Sequence, residues 1–190
     1  NEFDSTYSFE WWEKLKHGVA IYGVFWDKEK DNGLGDIAIE GIDPLNIFWE
    51  PGVEDIQKSR NVFTVALVDR DIIEDEYPQF ANKLSGSSIE TAKYEYDDTV
   101  DTSNKVAVID WYYRKKTADG RTVLHYAKFI DEEHIIYASE NDPEYAESGF
   151  YEDGEYPFVF DVLFPEKGTP AGFGYTAIAK DPQLYIDKLW

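Results

Sequence analysis

The stretch YPFVFDVLFPEKGTPAGFGYTAIAKDPQ, residues 156–183, decides between two classes of fold. Its first part, 158–164, is an apolar run suited to a buried strand. A loop rich in Gly and Pro follows, and Gly172-Phe173-Gly174-Tyr175-Thr176-Ala177 within it fits the G-x-G-x-x-A pattern of a dinucleotide-binding turn. Helical spacing comes next. A dinucleotide turn implies a parallel α/β sheet, whereas a structural joint leaves the sheet free to be antiparallel.

The spacing argues against the dinucleotide turn. Such a turn joins strand to helix directly and sits inside a βαβ unit, with an acidic residue about 20 positions on. Here residues 165–171 intervene, and Pro165 and Pro170 stiffen that loop. No other strand–helix alternation occurs in the chain. No Gly-Lys-Ser/Thr follows either, so a Walker A loop fails as well.

Working outward, the plainest β signal is KVAVIDWYYRKK, then RTVLHYAKFI and HIIYA, with turns at Asp119-Gly120 and Asp131-Glu132-Glu133. This reads as a three-strand meander, with Val106, Val108 and Asp110 on one face and Ala107, Ile109 and Trp111 on the other. Upstream, IYGVFWD and GDIAIEGI flank a polar loop and read as a hairpin. NIFWEPG and NVFTVALVD are further strand candidates. Asp69 suits the N-cap of a short helix with Ile72 and Ile73 inward, limited by Pro78. At the start, Ser5 or Ser8 suits the cap of a helix whose Phe9, Trp12, Leu15 and Val19 recur at helical intervals. Residues 85–104 read as a mobile surface loop. The eight acidic and no basic residues between Glu140 and Asp161 read as an exposed connection.

The expected class is therefore α+β, mostly antiparallel sheet with short helices and a helix at each end. The expected organisation is a single domain over 1–190. It comprises a leading helix over 1–18, a β-rich core over 19–165, and a Gly/Pro joint with C-terminal helix over 166–190. That helix is expected from about Thr176, docked on its own sheet or on a neighbour. Absence of methionine, even at position 1, suggests a piece of a longer protein.

Composition narrows function. The chain has 39 acidic and 18 basic residues, a formal charge of −21, which repels phosphate backbones. Its densest basic run, Arg114-Lys115-Lys116, flanks a turn and reads as a solvated hairpin end. Without cysteine there is no disulfide, thiolate metal site or Cys nucleophile. No apolar run approaches the roughly 20 residues of a membrane span. Asp27, Glu29 and Asp31 invite a calcium reading, but an EF-hand needs Gly sixth and Glu twelfth, and Asn32 and Ala38 stand there. Carboxylate pairs arise by chance among so many acids, so a glycosidase pair has little specificity. His17, His125 and His134 are scattered, and Ser85-Gly86-Ser87-Ser88 is not a nucleophile elbow. No catalytic, cofactor or metal residue is expected, and the chain is not read as an enzyme.

The order of phrases adds a resemblance. HGVAIYGVFWD, IDPLNIFWEPGVEDIQKSRNVF, DEYPQF, VIDWYYRKK, and GEYPFVFDVLFPEKGTPAGFG running into IAKDPQLYIDKLW together resemble the portal (head-to-tail connector) proteins of tailed double-stranded-DNA bacteriophages or prophages. The likeness spans most of the chain, leaving 85–104 and 139–152 unmatched. It implies the outer wing region of a subunit that forms a ring, usually a dodecamer, at one capsid vertex. The partners implied are other portal subunits, terminase, scaffold or capsid protein and tail adaptors. DNA passes through such a ring without specific binding. The implied locations are the virion vertex and, during assembly, the host bacterial cytoplasm. On this reading Gly168, Pro170, Gly172 and Gly174 form the joint between wing sheet and helix, and Gln183, Ile186 and Leu189 face neighbours. The alternatives are another phage structural or adaptor module and, behind it, an acidic carbohydrate-active domain.

Overall fold

Val19, Ile21, Gly23 and Phe25 share one face of VAIYGVFWD, and this period of two builds β1 (Val19–Asp27). The computed structural model, which describes residues 2–80, 104–130 and 134–189, pairs β1 with β2 (Asp36–Gly41) on one side and β8 (Phe158–Val162) on the other. Both pairings are antiparallel, with Val24 opposite Ile39 and Val19 opposite Val162. The chain divides into two compact units. The first holds Asn1–Pro44, Glu50–Ser59 and Tyr156–Trp190; the second holds Leu45–Trp49 and Arg60–Glu155.

In the first unit one sheet face is dry. Val19, Ile21, Ala38 and Phe158 are buried there, with Phe25 edge-on to Phe158 at 6.1 Å between centroids. The β1–β2 link contains a single turn, α2 (Lys30–Gly33), in which Asp31 and Asn32 take left-handed φ of 51° and 58°. Asp and Asn tolerate that region better than most side chains. Asp27 uses a carboxylate oxygen to accept the Glu29 N–H, so it serves the turn. Segment 50–59 is tied down by an amide clasp. Gln57 donates to the Tyr156 carbonyl at 2.9 Å and accepts the Tyr156 N–H at 2.8 Å, while the Tyr156 hydroxyl donates to the Ser59 carbonyl at 2.9 Å. Asp55 caps the intervening 3-10 turn through the Gln57 N–H.

The second unit is a five-stranded antiparallel sheet in the order β3 (Ile47–Trp49), β4 (Asn61–Asp69), β5 (Lys105–Lys116), β6 (Thr122–Ile130) and β7 (His134–Ala138). The expected meander is its β5–β6–β7 part, with an irregularity between Lys128 and Phe129. Val62, Val106, Ala107 and Leu124 are fully buried. Ile73, Val106, Val108 and Ile130 form one cluster, against which Val68 and Tyr77 pack.

Several expectations are corrected. The first helix, α1 (Glu2–His17), contains both Ser5 and Ser8, so neither caps it; the Ser8 hydroxyl instead donates to the Asp4 carbonyl. In α3 (Arg70–Glu76) only Ile73 is buried, and Ile72 is 53 % exposed. Asp69 stands at the N-cap without a capping bond, because its carboxylate pairs with Lys105 at 3.0 Å. The acidic segment after β7 is more than an exposed connection. Phe150 packs among Tyr126, Tyr137, Tyr145 and Tyr151, and its N–H donates to the Leu124 carbonyl. Aromatic burial outweighs charge repulsion there. Residues 85–103 and the turn 131–133 lie outside the described residues.

Candidate assembly surface

Helix α1 is built against its own hydropathy. The side chains it buries against the sheet are Glu10 and Lys14, at 5 % and 9 % exposure, whereas Phe9 and Trp12 are each 64 % exposed. Phe9, Trp12 and Leu15 therefore do not form a core face as their spacing predicts, and Val19 already belongs to β1. Lys14 donates to Asp161 of β8 at 2.6 Å. Glu10 lies against Gly41, where an added Cβ would sit 2.0 Å from its Oε1. Burial, together with the charges of Glu13 and Asp43, holds the Glu10 carboxyl above its ordinary pKa; the Ile21 N–H partly opposes this. On the flank, Phe3, Tyr7 and Trp11 form a ladder with centroids 6.2 and 6.4 Å apart, and Lys14 sits 5.3 Å from the Trp11 ring.

The sheet face that α1 crosses also carries exposed apolar side chains. Directly opposite strand residues share a face, so Val24 joins Ile39, Trp26 joins Ile37, and Tyr22 joins Val159. Val24, Trp26, Ile37, Ile39 and Val159 are all exposed.

Helix α4 (Tyr175–Leu189) runs beside α1. None of its residues is buried. Of the residues expected to face neighbours, Ile186 and Leu189 are exposed, as is Gln183, whose amide donates to Asp187 at 2.8 Å. Pro182 interrupts the helix interior.

The joint residues do not act alike. Gly168 has φ of 85° in open space, and Pro170 is buried. Gly172, at φ of 67°, lies where a Cβ would come 2.3 Å from the Phe164 carbonyl oxygen; the next residue, Phe173, donates its N–H to that oxygen at 3.0 Å. Gly174 crosses the end of α1 so closely that a Cβ would meet the Lys16 oxygen at 2.5 Å. Phe164 stacks on Phe173 and meets Tyr175 edge-on. The loop is filled by its own backbone and rings. Neither ATP nor NAD should therefore raise the melting temperature. A site held at 100 times its dissociation constant would add about 2.7 kcal/mol, so a clear shift in differential scanning fluorimetry would restore the dinucleotide reading.

Other features of the described residues are weaker candidates. A cleft of about 350 Å³ beside β8 is lined by Glu54, Asp55, Gln57 and Phe158 among others. Its carboxylates already serve the loop, Glu54 accepting the Gly168 N–H and Asp55 that of Gln57. In the second unit His125 Nδ1 meets the Ser139 hydroxyl at 3.0 Å, a pairing the sequence spacing did not signal. Both residues are buried, and Ser139 also accepts the Tyr126 N–H, so the hydroxyl has no path to a substrate. The neighbouring Glu140 carboxylate takes a hydrogen bond from Tyr113 at 2.5 Å and one from Lys115 at 2.8 Å. These bonds hold it below the usual carboxylate pKa. His17 sits 3.1 Å from Glu13, and His134 meets the Phe80 ring edge-on.

Burial keeps the His125 imidazole below its ordinary pKa of 6.5, with Glu140 raising it and Lys115 lowering it less strongly. The unfolded chain therefore binds this proton first. Its contribution is fully present above about pH 6.5 and falls as pH drops through the depressed folded value. Urea midpoints should fall between about pH 7 and pH 5.5, and fall less in His125→Gln. Glu10 opposes this slope, since protonation relieves its burial, so the comparison between the two proteins carries the result. An unchanged slope in the variant would refute the assignment.

Among the described residues no helix is long and apolar enough to cross a membrane, and no group of three or more His, Asp or Glu is placed to hold a metal ion. What the first unit presents is exposed apolar side chains on an acidic scaffold, carried by one helix turned aromatic side out, the part of the sheet face that α1 leaves uncovered and a helix with nothing buried. No protein-family model matches the chain, and a search of curated proteins finds no match.

Proposed function

We propose that this chain is the wing region of a portal subunit, a non-enzymatic assembly part of a phage or prophage capsid vertex. The observation that carries the reading is the outward aromatic face of α1 beside an α4 with no buried residue. Exposed apolar surface of this kind gains free energy when another polypeptide covers it, at roughly 25 cal/mol per Å². The order of phrases in the sequence points the same way. In a portal, neighbouring subunits cover such surfaces, and terminase, capsid or scaffold protein and tail adaptors dock on the assembled ring. The ring surrounds passing DNA without gripping it, which suits a charge of −21.

The test is the product of the whole reading frame that encodes this chain. It should carry several hundred further residues, with long helices after Trp190, and form rings in negative-stain electron microscopy. A product that ends near Trp190, or that stays monomeric under all conditions, removes the portal reading. As a second arm, fluorescence anisotropy with a short DNA duplex should show no binding at physiological salt; micromolar binding with a steep salt slope would contradict it.

A further inference from the structure

We infer that two copies of this chain associate through α4, packed antiparallel along the seam Ile178, Pro182, Tyr185 and Leu189. The spacing of these positions, four, three and four residues, is that of the apolar seam of a paired helix. All four are exposed, Tyr185 at 71 % and Leu189 at 75 %. A helix of this length is marginal in isolation, and Pro182 removes one internal hydrogen bond from it, so covering the seam is its main source of further stability.

Charge selects the occupant. Residues 164–189 contain Glu166, Asp181 and Asp187 against Lys167, Lys180 and Lys188, so this segment is neutral and the net charge of −21 lies elsewhere in the chain. A second copy therefore meets the least repulsion here. Antiparallel pairing sets Ile178 against Leu189 of the second copy and Pro182 against its Tyr185. It also brings Asp181 beside Lys188 of the second copy, twice by symmetry. Parallel pairing would set Asp181 beside Ile186 and lose both charge pairs. A helix of 15 residues spans about 22 Å. Its interface falls in the small, weakly associating class, below about 1,200 Å². This contact does not rest on the portal reading. Rings close head to tail, whereas this pairing is two-fold and describes subunits outside a ring.

Sedimentation equilibrium on the chain decides it. The weight-average mass should climb from 22.0 kDa toward twice that value as concentration rises, over the range of about 10 to 500 µM expected for a weak interface. Tyr185→Glu, at an exposed site, should keep the protein monomeric throughout. Asp181→Lys and Lys188→Asp should each weaken association roughly tenfold, and the double swap should restore it. A monomer at the top of the range, a dimer indifferent to Tyr185→Glu, or a double swap that fails to recover association would each overturn the inference.

Discussion

Replacing Gly18 by alanine should lower the melting temperature by about 10 °C or more, a large effect for a methyl-sized change. Gly18 ends α1 and starts β1 at a φ of 100°, a region disfavoured by about 1–2 kcal/mol for residues with a Cβ. Strain is the smaller part. An added Cβ would lie 2.1 Å from the Phe173 carbonyl carbon and 2.5 Å from its Cα. These are backbone atoms, so no rotamer change relieves the overlap. Gly18 is also held on both sides, its N–H donating to the Lys14 carbonyl at 2.9 Å and its carbonyl accepting from Leu163 at 2.8 Å. Moving it costs those bonds too, and the sum reaches about 4 kcal/mol or more. Gly52→Ala supplies the control. Its φ of 85° carries similar strain, but nothing lies within 4 Å of the added methyl. That variant should lose only about 1 kcal/mol. Equal losses in the two variants would show that the Gly18–Phe173 crossing is not tight.

The second large effect belongs to Phe158. Its ring is 2 % exposed, under β1 and edge-on to Phe25. Phe158→Ala removes the ring from a site whose walls are strands in fixed register, so the cavity cannot collapse fully. A loss of about 3–5 kcal/mol is expected, read as a lower urea midpoint at unchanged slope. Its neighbour Val159 points to the other face and is 54 % exposed. Val159→Ala should therefore cost well under about 1 kcal/mol. Similar losses at both sites would mean that the two faces of this sheet are not distinguished as described.

Much of the fold was legible because strand alternation is a local signal. The meander, the β1–β2 hairpin and the helix at each end follow from spacing alone. The pairing of β1 with β8 does not, because nothing local ties Val19 to Val162. The orientation of α1 was illegible for a different reason. Helical periodicity places apolar residues inward by default, and here Lys14 and Glu10 occupy the inward positions because Asp161, Gly41 and the Ile21 N–H receive them. Those partners belong to strands remote in sequence. Ile72 and Ile73 show the same limit on a smaller scale, since adjacent residues on a helix cannot share one face. In the acidic segment the charges were countable, but the Phe150 cluster assembles rings from β6, β7 and the segment itself. The candidate surface was thus visible in the sequence only as an excess of aromatic residues. Its exposure is a tertiary fact.

The split make-up of the first unit bears on how the chain is made. Its central strand β1 leaves the ribosome long before its edge strand β8, and the whole second unit is translated in between. At elongation rates of about 5–20 residues per second the wait is roughly 7 to 30 s, ample time for a local antiparallel meander to fold. Throughout it the dry side of β1, with Val19 and Ile21, has no β8 to close against. Nascent chains should therefore acquire protease resistance first in the sheet that is contiguous in sequence. A holdase that binds apolar segments should associate with β1 and be released only once Phe158 has emerged.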